Sequence, residues 1–244
     1  MKVVIMSPIW KRLKLTNYVF RYYSKLKATL IPAIELILVA VGSEGDISKE
    51  IAEHNGYDYI ECSNVPLNRK HNAGARHARK YDPDVFINMN SDTIISAEYF
   101  RAIDAEARMV MGLRDLWFLD IYKRQLGYWL GYDREHRRGV PVGTGRCFSR
   151  EILKKCGWEP WKQEMSLNHN LDGNCRAKLT NLGIGFVSRR MSEIGCFAMD
   201  VKSDVNITSW SKLFKKYRSV LAEYRVTEKL EKIGVADIFD KVVQ

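Results

Sequence analysis

The chain has 244 residues, of which 46% are apolar and 28% charged, which excludes an intrinsically disordered protein. No apolar run approaches the roughly 20 residues of a membrane-spanning helix. The N-terminal segment lacks a signal-peptide pattern, so we expect a cytoplasmic protein. Five scattered cysteines with no CxxC pair indicate reduced thiols rather than a zinc site. The net charge of +10 suits a polyanionic partner as well as it suits simple solubility.

The first 113 residues alternate between strands and helices. Strands are predicted at residues 2–10, 33–43, 57–63, 84–90 and 108–113, and helices at 11–29, 46–56, 68–83 and 96–107. Parallel strands need crossover helices of this kind. We therefore predict an α/β fold with an open, mostly parallel sheet and helices on both faces. Ligands in such sheets bind beyond the carboxyl ends of the strands.

The alternation of predicted strands and helices ends after residue 113. Residues 114–145 are aromatic, basic and spaced by glycine, which suggests a substrate-facing region with mobile parts. Short helices are predicted at 149–157 and 171–183, a strand at 184–188, and an amphipathic helical tail at 210–243. We predict a catalytic domain over 1–209, divided at 115/116 into two halves, and a C-terminal helical extension over 210–244.

The predicted fourth strand ends in the polar sequence Asn88-Met-Asn90-Ser91-Asp92. A carboxylate at the carboxyl end of a buried strand is a hard oxygen ligand, suited to Mg²⁺ or Mn²⁺ beside a diphosphate. The alternative is that Asp92 only caps the following turn.

The order of motifs around Asp92 resembles the nucleotide-sugar half of a GT-A glycosyltransferase. An Asn72-Ala-Gly74 turn opens a helix, and an apolar strand then leads to Asn90-Ser91-Asp92, where that family carries its DxD motif. The resemblance covers roughly residues 2–115, with Asn90 in place of the first acid. It implies a UDP-sugar donor and a Mg²⁺ or Mn²⁺ ion on Asp92. It further implies donor contacts from Pro8, Trp10, Asn68, Lys70, Asn72, Gly74, Asn90 and Ser91.

The second half resembles the same family more loosely, over about residues 140–190. Asp172 matches the family's acid at a helix start, which implies a general base, although a plain N-cap is the alternative. Glu164, His169 and Asp200 are the reserve candidates. The Gly143-Thr144-Gly145 loop is expected to line the donor, or else to be a flexible turn. Asp200 could join the metal site and Lys202 could neutralise the leaving diphosphate, unless they form a surface ion pair.

Basic clusters and nearby aromatic residues suggest a polyanionic acceptor bound by Trp129, Arg134, Arg137 and Arg138. The combination is similar to phage enzymes that glycosylate hydroxymethylated pyrimidines in DNA, which implies DNA as the acceptor and the host cytoplasm as the location. Three alternatives stay open: transfer to a cell-surface glycan, a nucleotidyltransferase, and a non-catalytic nucleic-acid-binding module. The glycine-free segment after the first strand, SPIWKRLKLTN, disfavours the nucleotidyltransferase.

Overall fold

The computed structural model describes residues 1–132, 135–163, 171–203 and 226–243. Its strands are β1 (Lys2–Pro8), β2 (Glu35–Gly42), β3 (Asp58–Glu61), β4 (Val85–Asn88), β5 (Thr93–Ile95), β6 (Val110–Leu113), β7 (Leu116–Asp120), β8 (Gln125–Trp129), β9 (Arg146–Ser149), β10 (Phe186–Arg189) and β11 (Ala198–Lys202). Its helices are α1 (Leu13–Leu30), α2 (Asp46–His54), α3 (Leu67–Ala78), α4 (Ala97–Arg101), α5 (Arg150–Lys155), α6 (Leu171–Asn181), α7 (Met191–Ile194), α8 (Val226–Lys232) and α9 (Ile238–Val242).

The central sheet has seven strands in the order β10-β6-β9-β4-β1-β2-β3. All neighbouring pairs are parallel except those of β9, which runs antiparallel to β4 and β6. The predicted open, mostly parallel sheet is therefore confirmed. Because β9 is antiparallel, its first residue, Arg146, pairs with Asn88 at the carboxyl end of β4. The loop before β9 is thus delivered to the edge where ligands bind in such sheets.

Alternation along β1 divides the core into two layers. Val3 and Ile5 face one hydrophobic cluster together with Val19 of α1, whereas Val4 and Met6 face the other, which includes residues of α3, α5 and α6. Successive strand side chains point to opposite faces, so one apolar run serves both layers. The predicted helices on both faces are confirmed.

The region after residue 113 differs from the prediction. Residues 116–129 form an antiparallel hairpin, β7 and β8, in a second sheet with the order β5-β11-β7-β8. Every residue of β7 is buried, because its Leu, Trp and Phe side chains supply a core of their own. A substrate-facing, mobile region is therefore the wrong description of this part. The Thr93–Ile95 strand was also not expected.

Helix α4 is shorter than predicted, and the last two helices pack on the core. Helix α4 ends at Arg101 rather than near residue 107. The Ser96 hydroxyl donates to the Glu98 carboxylate at 2.5 Å and accepts the Phe197 N–H at 3.0 Å, so it joins α4 to the second sheet. At the other end of the chain, Leu230 of α8 and Ile238 of α9 are buried in the core cluster that contains α1. The predicted helix over 210–225 lies outside the described residues. Within the described ranges, no helix is long and apolar enough to cross a membrane.

Candidate active site

The side chain of Asn88 joins the end of β4 to the loop before β9. Its amide nitrogen donates to the Gly143 carbonyl at 3.0 Å, and the backbone carbonyl of Asn88 accepts the Gly145 N–H at 2.7 Å. Two residues later, the backbone N–H of Asn90 donates to the Thr144 hydroxyl at 3.1 Å. The polar residues that end the strand thereby hold the Gly143–Gly145 loop against the Asn90–Asp92 segment.

A buried histidine fixes the Asn88 amide. His71 of α3 lies with Nδ1 2.7 Å from Asn88 Oδ1, and since that oxygen is an acceptor, Nδ1 carries the proton. Burial lowers the pKa of His71 to about 4, against an opposing effect of the Asn88 hydrogen bond. The imidazole is therefore neutral at pH 7 and acts as a rigid support for the strand end.

Asp92 lies in a buried cluster of four charged side chains. Its carboxylate pairs with the Arg12 guanidinium, which also lies 3.4 Å from the Ser91 hydroxyl. The Asp92 carbonyl accepts the Val201 N–H at 2.8 Å, which places β11 beside it. Asp200 and Lys202 of β11 are likewise buried, and their side chains pair at 2.8 Å.

The two carboxylates of this cluster influence each other. Burial raises the pKa of Asp200 and the charge of Asp92 raises it further, to about 7, against the opposing charges of Lys202 and Arg12. A divalent cation would relieve this repulsion, and both carboxylates are hard oxygen ligands of the kind that Mg²⁺ and Mn²⁺ accept. The described residues contain no group of three or more His, Cys, Asp and Glu side chains suited to a metal. Asp92 and Asp200 fit an ion that completes its coordination with donor phosphates.

Asp172, at the start of α6, lies beside the same loop. The Tyr132 hydroxyl donates to its Oδ2 at 2.9 Å, and the guanidinium groups of Arg137 and Arg146 lie 3.7 and 3.4 Å from its two oxygens. A Cβ atom added to Gly143 would stand 2.3 Å from Asp172 Oδ1. The loop therefore presses its backbone against this carboxylate, and only glycine leaves room for it.

Arg146 is the support beneath Asp172. Its side chain is 1% exposed, and its Nη2 donates to the Pro141 carbonyl at 2.8 Å. Burial lowers its pKa, but electrostatic interactions with Asp172, Cys175 and Tyr132 outweigh burial and raise it, so the guanidinium stays charged. The buried guanidinium is thus held beside the Asp172 carboxylate, 3.4 Å from Oδ1.

The carboxyl ends of β1 and β2 are joined by Lys70 of α3. Its ammonium is fully buried and donates to Ile9 O at 2.6 Å, Ser43 Oγ at 2.9 Å and Asn64 Oδ1 at 3.0 Å. Burial lowers its pKa to about 8. Beside this junction, the Trp10 ring is 38% exposed, with the Lys11 ammonium 4.5 Å from its centroid. An exposed aromatic ring at this edge offers a flat surface to a nucleobase.

No family model and no curated protein matches this sequence. Solved structures do match. S. aureus TarS 1–349 in complex with UDP-GlcNAc aligns with a TM-score of 0.57 at 14% identity, over 98% of this chain and 67% of that 1–349 chain. A mutant of Drosophila beta-1,4-galactosyltransferase 7 with manganese, UDP-Gal and xylobiose aligns at 0.50 and 9% identity, over 89% of this chain and 80% of that one. The chain has the GT-A fold.

A third solved structure with a similar fold is not named as a glycosyltransferase. 4-Diphosphocytidyl-2C-methyl-D-erythritol synthase aligns with a TM-score of 0.50 at 8% identity, over 78% of this chain and 88% of that one. At such identities the likeness shows the fold alone. Function has to be argued from the side chains.

Four of the residues expected to contact the donor make other contacts within the fold. The Asn72 amide pairs with both backbone groups of Trp161, at 2.9 and 3.1 Å, and the Asn68 amide nitrogen donates to the carbonyls of Lys162 and Gln163. A Cβ on Gly74 would stand 2.4 Å from the Met6 side chain, so this glycine allows α3 to pack on the sheet. Lys70 likewise makes three hydrogen bonds within the fold, and its contact with the donor stays a prediction.

The residues expected to bind the acceptor differ in their exposure and in their contacts. Arg137 reaches Asp172 and stacks on the Tyr132 ring at 3.6 Å, and Arg138 is exposed. Trp129 is only 4% exposed and packs against Phe118 and Tyr132, so in this conformation its ring offers no face to a base. Arg134, Glu164 and His169 lie outside the described residues, and their roles stay predictions.

Sequence reasoning missed three side chains of the site: Arg12, Tyr132 and Arg146. Arg12 lies in the basic segment of residues 11–14 after the first predicted strand, and nothing in its local sequence indicates an ion pair with a residue 80 positions away. Arg146 did carry a signal, because it is the one charged residue at the start of the buried strand Arg146–Ser149. A charge in a buried strand requires a partner nearby.

Proposed function

We propose that this chain is a glycosyltransferase that moves a sugar from a nucleotide diphosphate sugar, a UDP-sugar, to an acceptor hydroxyl. The observation that carries the proposal is one chain of contacts at the carboxyl edge of the sheet. It runs from Asp92 and Asp200 through Asn90 and the Gly143–Gly145 loop to Asp172. A paired-carboxylate cluster and an isolated carboxylate are thus placed on either side of one loop.

On the donor side, Pro8 and Trp10 provide the surface for the base, and the loop containing Gly143 and Thr144 borders the sugar. Asp92, with Asp200 as its neighbour, would hold Mg²⁺ or Mn²⁺. When bound, such an ion neutralises negative charge on the departing diphosphate. Lys202, whose ammonium already lies in this cluster, adds a second positive charge near the leaving group.

On the acceptor side, Asp172 is the general base. It accepts the proton of the acceptor hydroxyl while the oxygen forms a bond to the anomeric carbon of the sugar. The bond from that carbon to the diphosphate breaks, and the nucleoside diphosphate leaves with the electron pair. Attack opposite the leaving group inverts the anomeric centre. Tyr132 and Arg146 orient the carboxylate, and the helix start at Leu171 favours its charge.

For the acceptor we favour a 5-hydroxymethylpyrimidine in DNA. The support is the net charge of +10, together with Arg137 at Asp172 and the exposed Arg138. A base has to leave the duplex to bring its hydroxymethyl group to a carboxylate in a cleft. A phosphorylated or otherwise anionic cell-surface glycan is the alternative acceptor with the same charge requirement.

The test begins with the donor. A thermal-shift panel of nucleotide sugars with and without Mn²⁺ should show a UDP-sugar that raises the melting temperature in the presence of the ion. The protein with that donor is then incubated with hydroxymethylated DNA, unmodified DNA and free glycans. Mass spectrometry should find one added hexose or pentose per hydroxymethyl group. If no UDP-sugar binds, the glycosyltransferase proposal fails; if only glycans react, the DNA acceptor is wrong.

A nucleotidyltransferase is the second candidate. It is favoured by the fold shared with 4-diphosphocytidyl-2C-methyl-D-erythritol synthase and by the cation Arg12 in the segment after β1. This reaction would consume a nucleoside triphosphate and release pyrophosphate, so a pyrophosphate assay with CTP and UTP separates the two. A non-catalytic DNA-binding module would instead show salt-dependent DNA affinity and leave every nucleotide substrate intact.

A further inference from the structure

The ion pair between Arg12 and Asp92 occupies the place where a donor cation would bind. The Arg12 side chain is 16% exposed and that of Asp92 is 6% exposed, so the pair is largely shielded from water. Arg12 belongs to the segment after β1, whereas Asp92 follows β4. The guanidinium therefore bridges two neighbouring parallel strands at their carboxyl ends.

The backbone holds Arg12 in this position. Lys11 and Arg12 have φ angles of 55° and 53°, in the left-handed region that non-glycine residues rarely adopt. The Lys11 N–H donates to the Glu44 carboxylate at 2.7 Å, and the Ile9 carbonyl accepts from Lys70. Residues held in rare conformations by their surroundings concentrate at ligand sites. The turn directs the Arg12 side chain back over the Asp92 segment rather than out along α1.

Charge counting shows what a cation would change. The cluster has two acids, Asp92 and Asp200, and two cations, Arg12 and Lys202, so its charges cancel when both acids are ionised. A divalent ion on Asp92 would add two positive charges in a shielded place. The two negative charges of the donor diphosphate would offset the ion, and Arg12 has to leave the Asp92 carboxylate that the ion takes. The freed guanidinium is a planar donor well suited to a phosphate.

We propose that Arg12 is the resident counter-ion of Asp92, that the donor's divalent cation displaces it, and that it then binds the donor diphosphate. The second half of this inference rests on the proposed glycosyltransferase function. The first half concerns only Arg12, Asp92 and a divalent ion. It holds for any enzyme that uses this site to bind a metal with a phosphate ligand.

The experiment measures Mn²⁺ binding without nucleotide by electron paramagnetic resonance of the free ion. Arg12→Gln should bind Mn²⁺ about tenfold more tightly than the wild type, because the competing charge is gone. Lys14→Gln is the matched control, since Lys14 is exposed, lies two residues away and loses the same charge. Asp92→Asn should bind Mn²⁺ weakly, and adding Arg12→Gln to it should restore nothing. In the presence of Mn²⁺, Arg12→Gln should bind UDP about tenfold more weakly.

The outcomes separate the two ideas. If Arg12→Gln binds Mn²⁺ no more tightly than Lys14→Gln, Arg12 is not the counter-ion and the inference is overturned. The inference also fails if the Arg12→Gln effect persists in the Asp92→Asn background, because it then acts elsewhere. If Mn²⁺ binding rises as expected but no variant binds any UDP-sugar, the counter-ion role stands and the proposed donor is wrong.

Discussion

Asp92 and Asp172 lie on either side of one loop, yet their surroundings differ in charge. Asp92 shares a buried cluster with one further acid and two cations, and the charges cancel. Asp172 is 29% exposed and faces two arginines and a tyrosine hydroxyl, so its surroundings carry a positive excess. The first cluster can take up a cation if it releases one. The second places two cations around a single carboxylate that is partly exposed to solvent.

This difference fits the two roles proposed for the acids. A shielded carboxylate attracts a cation more strongly than one in water does. A general base has to meet the acceptor, and a positive rim attracts an acceptor that carries phosphates. The Gly143–Gly145 loop contacts both the Asn90–Asp92 segment and Asp172, so it would fix the spacing of the two proposed sites.

The largest effect should come from Asp92. Asp92→Asn removes the charge that would hold the cation, so transfer should fall by about 10³-fold and donor binding should lose its dependence on Mn²⁺. Initial rates with radiolabelled donor measure this, and Asp104→Asn, at an exposed position, serves as the control. If Asp92→Asn still transfers sugar at a near-normal rate and still depends on Mn²⁺, Asp92 is not the metal ligand of the donor site.

Asp172 should show the complementary pattern. Asp172→Asn keeps the shape of the side chain but cannot take a proton, so transfer should fall by about 10²-fold or more while donor affinity is preserved. Calorimetry of donor binding and single-turnover transfer separate the two quantities. Loss of donor binding with this variant would contradict the division between the two sites.

Gly143 tests the spacing between them. In Gly143→Ala the new methyl group would meet the Asp172 carboxylate and displace it, so kcat should fall by about tenfold with little change in the donor KM. Gly185→Ala is a suitable control, because its methyl group would meet only the flexible Met109 side chain. Equal rates in both variants would show that the loop does not position the base.

Asp58, on the edge strand β3, provides a baseline for a structural carboxylate. Burial would raise its pKa, but hydrogen bonds from Lys80, Tyr81 and His77 outweigh burial and lower it to about 2. The charged form therefore stabilises the fold above pH 4, and this contribution is lost as the pH falls towards 2. Because the partners are half-exposed, we expect only about 1 kcal/mol at pH 7.

Urea unfolding of Asp58→Asn measures that contribution. The difference in the free energy of unfolding from the wild type should be largest near pH 7 and should shrink by about half at pH 3. Transfer activity at pH 7 should be unchanged, in contrast to the two site variants. A difference that grows as the pH falls would contradict the lowered pKa.

The sheet could be predicted from the sequence because apolar runs and helical periodicity are local signals. Residues 2–113 show both signals, and the rules for crossovers between parallel strands lead from this alternation to a mostly parallel sheet. The hairpin of residues 116–129 was missed because tryptophan, tyrosine and glycine at close spacing suit a binding loop as well as a buried strand pair. Its burial depends on β5 and β11, which come from distant parts of the chain.

The two acids of the candidate site were proposed from the sequence, but their cationic partners were not. Asp92 was proposed because it follows a buried strand, and Asp172 because it matches the acid at a helix start in the family that the sequence resembles. Their cations were not, since Arg12 and Arg146 reach them only through the folded sheet. Asn68 and Asn72 illustrate the opposite error: polar residues near a presumed ligand turned out to bind the backbone of Trp161–Gln163.

The buried ammonium of Lys70 has one more consequence. Three segments that would surround a nucleotide accept hydrogen bonds from the same Lys70 ammonium nitrogen, through Ile9, Ser43 and Asn64. A nucleotide that enters there meets walls already at their final separation, so little ordering entropy is lost when it binds. Selectivity for the base would then come from the fixed positions of these three segments rather than from loops that close around the nucleotide.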